Sequence, residues 1–157
     1  MGVDAGPKAV AYLSIDPGEK YNGWATFDCN GDLITMGTVY GINEMTDFLE
    51  QFPTDALRQV IVEDYRIGVV KGKYGAAHQQ GSRALTIKTI GMIESWTYRK
   101  KLAPIVLQAN SIKPTGYMWA GITVPKNKDL SHETDAYVHG VYFLQKSGVR
   151  RPQQAKR

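Results

Sequence analysis

The chain of 157 residues has a single cysteine, Cys29, so an intrachain disulfide is excluded and Cys29 reads as a reduced thiol without special role. No apolar run approaches the ~18 residues that suggest a membrane span. The first residues, MGVDAGPKAV, lack the basic-then-apolar order of a secretion signal. Gly6 stands where a myristoylation signal on Gly2 needs Ser or Thr. Internal repeats and long linkers are missing too, which leaves one domain over 1–157, with 1–8 and 148–157 as flexible tails. The expectation is a cytoplasmic chain with no membrane partner, held together by its core, for which 43% hydrophobic residues suffice.

Acidic residues are nearly missing from the middle of the chain. Residues 66–128 hold eleven bases and one acid, Glu94, whereas residues 1–65 hold eleven acids and three bases. A segment that basic attracts a polyanion.

What is present is an alternation of strand and helix patterns. Residues 9–16 (AVAYLSID) read as a central strand, apolar on both faces. Residues 22–28 and 33–40 are two further strands joined through Asn30-Gly31, a hairpin signal. Ile42, Met45, Phe48, Leu49 and Phe52 have helical spacing, and Pro53 ends that helix. QVIVEDY (59–65) is a buried-type strand, followed by a loop rich in Gly and Lys. Residues 79–102 form a long helix with Leu85, Ile87, Ile90, Ile93 and Trp96 on its buried side. A strand at IVLQA, a short helical region over 111–121, a second loop and a last helix over 131–146 complete the order β-β-β-α-β-α-β-α. Three meander strands and two helix crossovers predict a mixed α/β sheet of five strands, with helices on both faces and parallel pairing among the later strands.

In this frame Asp16 ends the first strand, Glu63 ends the fourth, and Asp135 sits one turn into the last helix. If the first and fourth strands are neighbours, both carboxylates share one sheet edge and the helix lays its first turn across it. Clustered carboxylates repel unless a cation lies among them. Hard oxygen ligands favour Mg²⁺, with Mn²⁺ as a substitute. His132 precedes Asp135 by three residues and shares its helix face, as a ligand or acid–base group. His139, one turn deeper, reads as structural, and Asp64 points to the opposite face from Glu63.

The stretches LSIDPGEKYNGWATF, VIVEDY, NSIKPTG and HETDAYVHGVYF, in that order, resemble the motifs of RuvC-like Holliday junction resolvases, and the resemblance covers Leu13 to Leu144. It implies an RNase H-like fold, a homodimer, and cleavage of four-way DNA junctions with two divalent ions per site, leaving 5′-phosphate and 3′-hydroxyl ends. It places the metal ligands at Asp16, Glu63, His132 and Asp135, and a catalytic basic residue near the scissile phosphate at Lys113. Compact size, an extended loop after Glu63 and a basic tail are similar to the bacteriophage branch. Gly18 then serves to turn the chain without blocking the phosphate. Lys71, Lys73, Arg83, Lys88, Arg99, Lys100, Lys101, Lys126 and Lys128 become candidates for the DNA arms beside Lys113, with Tyr65 or Tyr74 stacking at the junction centre. Met92, Trp96 and Tyr98 offer a dimer face. Rival readings are a broader flap or RNA–DNA hybrid nuclease and a non-catalytic DNA-binding module. An actin-like ATPase fits poorly, because it needs two such domains.

Overall fold

The computed structural model describes residues 6–65, 75–127 and 131–151, of which 75–83 through the backbone alone. Five strands, β1 (Tyr12–Pro17), β2 (Tyr21–Phe27), β3 (Leu33–Tyr40), β4 (Gln59–Asp64) and β5 (Val106–Ala109), form one sheet in the order β3-β2-β1-β4-β5. The first three pair antiparallel, and β1–β4 and β4–β5 pair parallel, as helix crossovers require. The helices are α1 (Gly41–Glu50), α2 (Gly75–Arg99), α3 (Lys113–Ala120) and α4 (His132–Lys146), with a 3₁₀ turn at Asn110–Ile112 before α3. None of the described helices is long and apolar enough to cross a membrane.

β1 is buried along its whole length, because both sheet faces are covered. Leu13 and Ile15 join Val60 and Val62 under α1 and α2, where Met45, Leu49, Ile93 and Trp96 complete one core. Tyr12, Ala25, Phe27 and Ile61 face α3 and α4, which add Tyr117, Ala136, Val138, Val141 and Leu144. The period of two along a strand therefore decides which helix pair each residue meets.

The expected elements are present, with shifted limits. The long helix starts at Gly75, so residues 75–78 are helical and not loop. Its buried side also differs from expectation. Leu85 and Ile87 are exposed, whereas Thr86, Thr89 and Thr97 are buried beside Ile93 and Trp96. Thr89 and Thr97 satisfy their hydroxyls on the helix's own carbonyls, of Leu85 and Glu94, and so can occupy apolar surroundings. Trp96 is fully buried and Met92 packs against the same core, so of the expected dimer face only Tyr98, 85% exposed, is free to meet a partner.

Described residues near both ends have partners in the fold. Lys8 pairs with Asp28 at 3.0 Å, and Val149 packs against the α4-side core. Asp28 organises the β2–β3 turn. Its Oδ1 accepts the Asn30 and Asp32 N–H groups at 2.9 and 3.0 Å, and these partners with Lys8 outweigh burial and lower its pKa. Asp28→Ala is expected to cost about 1–3 kcal/mol, read as a lower unfolding midpoint, because two turn N–H groups lose their acceptor. An unchanged midpoint would mean that Asn30-Gly31 makes the turn unaided.

Candidate active site

The parallel register of β1 on β4 runs through Ile15 opposite Val62, so Asp16 and Glu63 come next, side by side at the strand ends. Both follow the alternation of Tyr12 and Ile61, which face α3 and α4. α4 brings its first turn onto this edge. A Cβ at Gly23, which pairs with Asp16 across β1–β2, would fall on the His132 backbone, so glycine there permits the close approach. His132 Nδ1 lies 3.1 Å from Asp16 Oδ2. At the start of α3, the Lys113 ammonium lies 3.0 Å from both Glu63 Oε2 and Asp135 Oδ2. Tyr117, one turn on, donates its hydroxyl to Asp135 Oδ1 at 2.6 Å.

These side chains line an open cleft of about 710 Å³, rimmed by Pro17, Pro114, Val124, Pro125 and Lys126, with Thr86 of α2 on one wall. Within it Asp16, Glu63 and Asp135 crowd around the single ammonium group of Lys113, and the protonation of the site follows from that imbalance. Burial, with Glu63 alongside, raises the Asp16 carboxyl against the pull of His132. Burial also works to raise Glu63, but His139, Asp16 and Lys113 outweigh it and hold that carboxyl low. The hydrogen bond to Asp16 raises His132 above the ordinary imidazole value. Burial would lower Lys113, yet the surrounding Asp16, Glu63 and Asp135 charges raise it, so it is an ammonium group. Burial and the bond to Asp135 raise the Tyr117 phenol, which therefore stays a donor.

Among the described residues no three acidic or imidazole donors close on one point, because Lys113 stands between Glu63 and Asp135. The donor set itself fits a hard divalent cation. It offers carboxylate oxygens and one imidazole, and Glu63 Oε2 is buried with an ion pair but no hydrogen bond.

No protein-family model matches this chain and no curated protein matches it in sequence. In structure it is similar to Thermus thermophilus RuvC in complex with a Holliday junction substrate, with a TM-score of 0.61 and 12% identity over 92% of this chain and 99% of that one. Thermus thermophilus RuvC in a second structure gives a TM-score of 0.56 and 14% identity over 90% and 98% of the two chains. The fold is that of RuvC.

On this RuvC fold, Asp16, Glu63, His132, Asp135 and Lys113 all meet at the cleft. Lys126 lies on its rim and Tyr65 lines it, whereas Lys88 is exposed on α2. Arg99 and Lys100 are instead paired with Glu50, at 2.7 and 3.9 Å. Lys71, Lys73, Tyr74 and Lys128 lie outside the described residues, as does the side chain of Arg83. A Cβ on Gly18 would meet the Tyr21 carbonyl and, at 3.1 Å, His132 Cε1. Glycine at 18 therefore leaves room first for the Tyr21 carbonyl and then for the His132 ring.

One site residue, Tyr117, and one contact, that of the structural His139 with Glu63, were not read from the sequence. Tyr117 follows Lys113 by four residues, which puts both on one face of α3, and that spacing was a usable signal. His139 is fully buried and reaches Glu63, with Nε2 3.4 Å from Oε2. Its place four residues after Asp135 was visible, but its partner on β4 was not.

Proposed function

We propose that this chain is a divalent-metal-dependent endonuclease that resolves four-way DNA junctions by paired phosphodiester hydrolysis. One observation carries the reading. Asp16, Glu63, Asp135 and His132, held by β1, β4 and α4, face one open cleft with Lys113 among them. The similarity in fold to RuvC in complex with a Holliday junction substrate supports the choice of branched DNA.

Asp16, Glu63, Asp135 and His132 are the residues that would hold Mg²⁺ or Mn²⁺, which when bound activates water and stabilises the leaving oxygen. The rest of the chemistry belongs to the chain's own groups. Lys113 is a fixed cation at the cleft floor, suited to meet charge that develops on the phosphate. Tyr117 anchors Asp135 from one side and Lys113 from the other, so that carboxylate keeps its direction. The Asp16–His132 contact orients the imidazole. Lys126 on the rim supplies a phosphate contact that positions DNA and reads no base, and affinity falls steeply with salt.

Lys113→Ala is expected to lower the single-turnover rate by about 10²–10³-fold, with junction affinity changed far less. Gel shift and rapid-quench cleavage on one labelled junction separate the two effects. If affinity falls and the rate does not, Lys113 is only a phosphate clamp.

The proposed reaction needs two active sites on matching strands, and a two-fold homodimer provides them on a two-fold substrate. Light scattering should give about twice the 17.4 kDa chain mass. A cruciform plasmid should go to linear product with little nicked intermediate. A monomeric mass with persistent nicked circles would move the reading towards a flap- or branch-cutting nuclease.

A further inference from the structure

His139 is a costly residue where it stands. It is fully buried on α4, among apolar neighbours such as Val138 and Val141, and burying an imidazole without polar partners is unfavourable. Its two nitrogens face different side chains on adjacent strands. Nδ1 lies 3.1 Å from Gln108 Oε1 on β5, and Nε2 lies 3.4 Å from Glu63 Oε2 on β4. Glu63 and Gln108 are register partners in the parallel β4–β5 pair, so their side chains leave the sheet together and the imidazole spans them. Packing alone would be met by leucine or valine, as at Val141 and Leu144 on the same helix.

We infer that His139 is a positioning residue, which with Gln108 holds the Glu63 carboxylate in the orientation that presents it to a divalent cation. This rests on the proposed role of Glu63 as a metal ligand. With the Gln108 amide turned so that its NH₂ group donates to Nδ1, the neutral ring carries its proton on Nε2, 3.4 Å from Glu63 Oε2. An N–H directed at Oε2 restrains the carboxylate, so the other oxygen is directed to the cleft. Partners behind a ligand act in this way on metal affinity, typically by ~10–100-fold when removed.

The test is Mn²⁺ binding by the full chain without DNA, read as loss of the free Mn²⁺ paramagnetic resonance signal. Wild type, Asp16→Asn, His139→Leu, His139→Gln and Gln108→Leu are compared, with thermal unfolding in EDTA as the folding control. His139→Leu should weaken Mn²⁺ binding ~10–100-fold without a lower unfolding midpoint. His139→Gln, which keeps an N–H donor, should recover most of the loss. Gln108→Leu, which leaves the packing of α4 intact, should weaken binding by a smaller factor. Wild-type affinity in His139→Leu, or equal weakening in the leucine and glutamine variants at position 139, overturns the inference alone. If His139→Leu does not fold, wild-type affinity in Gln108→Leu overturns it. Failure of the wild type to bind Mn²⁺ in a manner abolished by Asp16→Asn overturns the metal reading itself, and the inference with it.

Discussion

Asp16→Asn is expected to lower the single-turnover cleavage rate of a four-way junction by about a thousandfold or more, with junction binding kept. Asparagine preserves the size of the side chain and removes its charge. Asp16 lies between Glu63 and His132 on the wall of the cleft, at 6% exposure, so its charge acts at the site with little screening by solvent. Glu63→Gln should act in the same way, since it neutralises the neighbouring carboxylate at the end of β4. Binding should survive in both because, in the proposed reading, Lys113 and Lys126 and not the carboxylates meet the phosphates. Loss of a negative charge at the cleft would if anything tighten the complex. Cleavage in Mg²⁺ and gel shift in EDTA, on the same junction, separate the two properties. A variant with near-normal turnover in Mg²⁺ removes its residue from the metal site.

Gly23→Ala is expected to damage fold and site together. The position is central in β2, opposite Asp16 on β1, and the peptide of His132 lies directly over it. A methyl group there would run into the His132 carbonyl and come within 2.5 Å of the Glu133 nitrogen. Both obstacles are backbone and neither can rotate away, so the first turn of α4 has to lift. His132 and Asp135 travel with it, which separates them from Asp16 and Lys113. Overpacking of this kind costs about 3 kcal/mol. The unfolding midpoint should drop sharply, and at a temperature where the variant is still folded its cleavage per molecule should also fall. A variant with unchanged midpoint and full activity would mean that α4 does not rest on β2 as described.

The parts of the site that were readable in the sequence are those fixed by local rules. Asp16 and Glu63 each stand at the end of an apolar strand, which the sequence shows, and the observed pairing of β1 with β4, which the sequence reading took only as a condition, makes them neighbours. Asp135 and His132 share a helix face by spacing alone. What escaped depended on tertiary register. That Glu63 stands opposite Gln108, and that α4 lies at the depth which drops His139 between them, cannot be obtained from either segment by itself. The misplaced face of α2 has a different cause. A pattern of apolar residues assigns Leu85 and Ile87 inward, but threonines that bond to their own helix are cheap to bury, and Thr89 and Thr97 took inner positions in that way. Trp96 was correctly read as core, and for that same reason was wrongly offered to a partner chain.

The most direct test of the proposed function is cleavage of end-labelled substrates by wild-type protein in Mg²⁺. A four-way junction is set beside linear duplex, three-way, flapped and RNA–DNA hybrid substrates of shared sequence. The account predicts paired cuts in two opposed strands of the four-way junction, ends carrying 5′-phosphate, and little cleavage of linear duplex. No cleavage of any substrate in Mg²⁺ or Mn²⁺, or equal cleavage of linear duplex and junction, would contradict it.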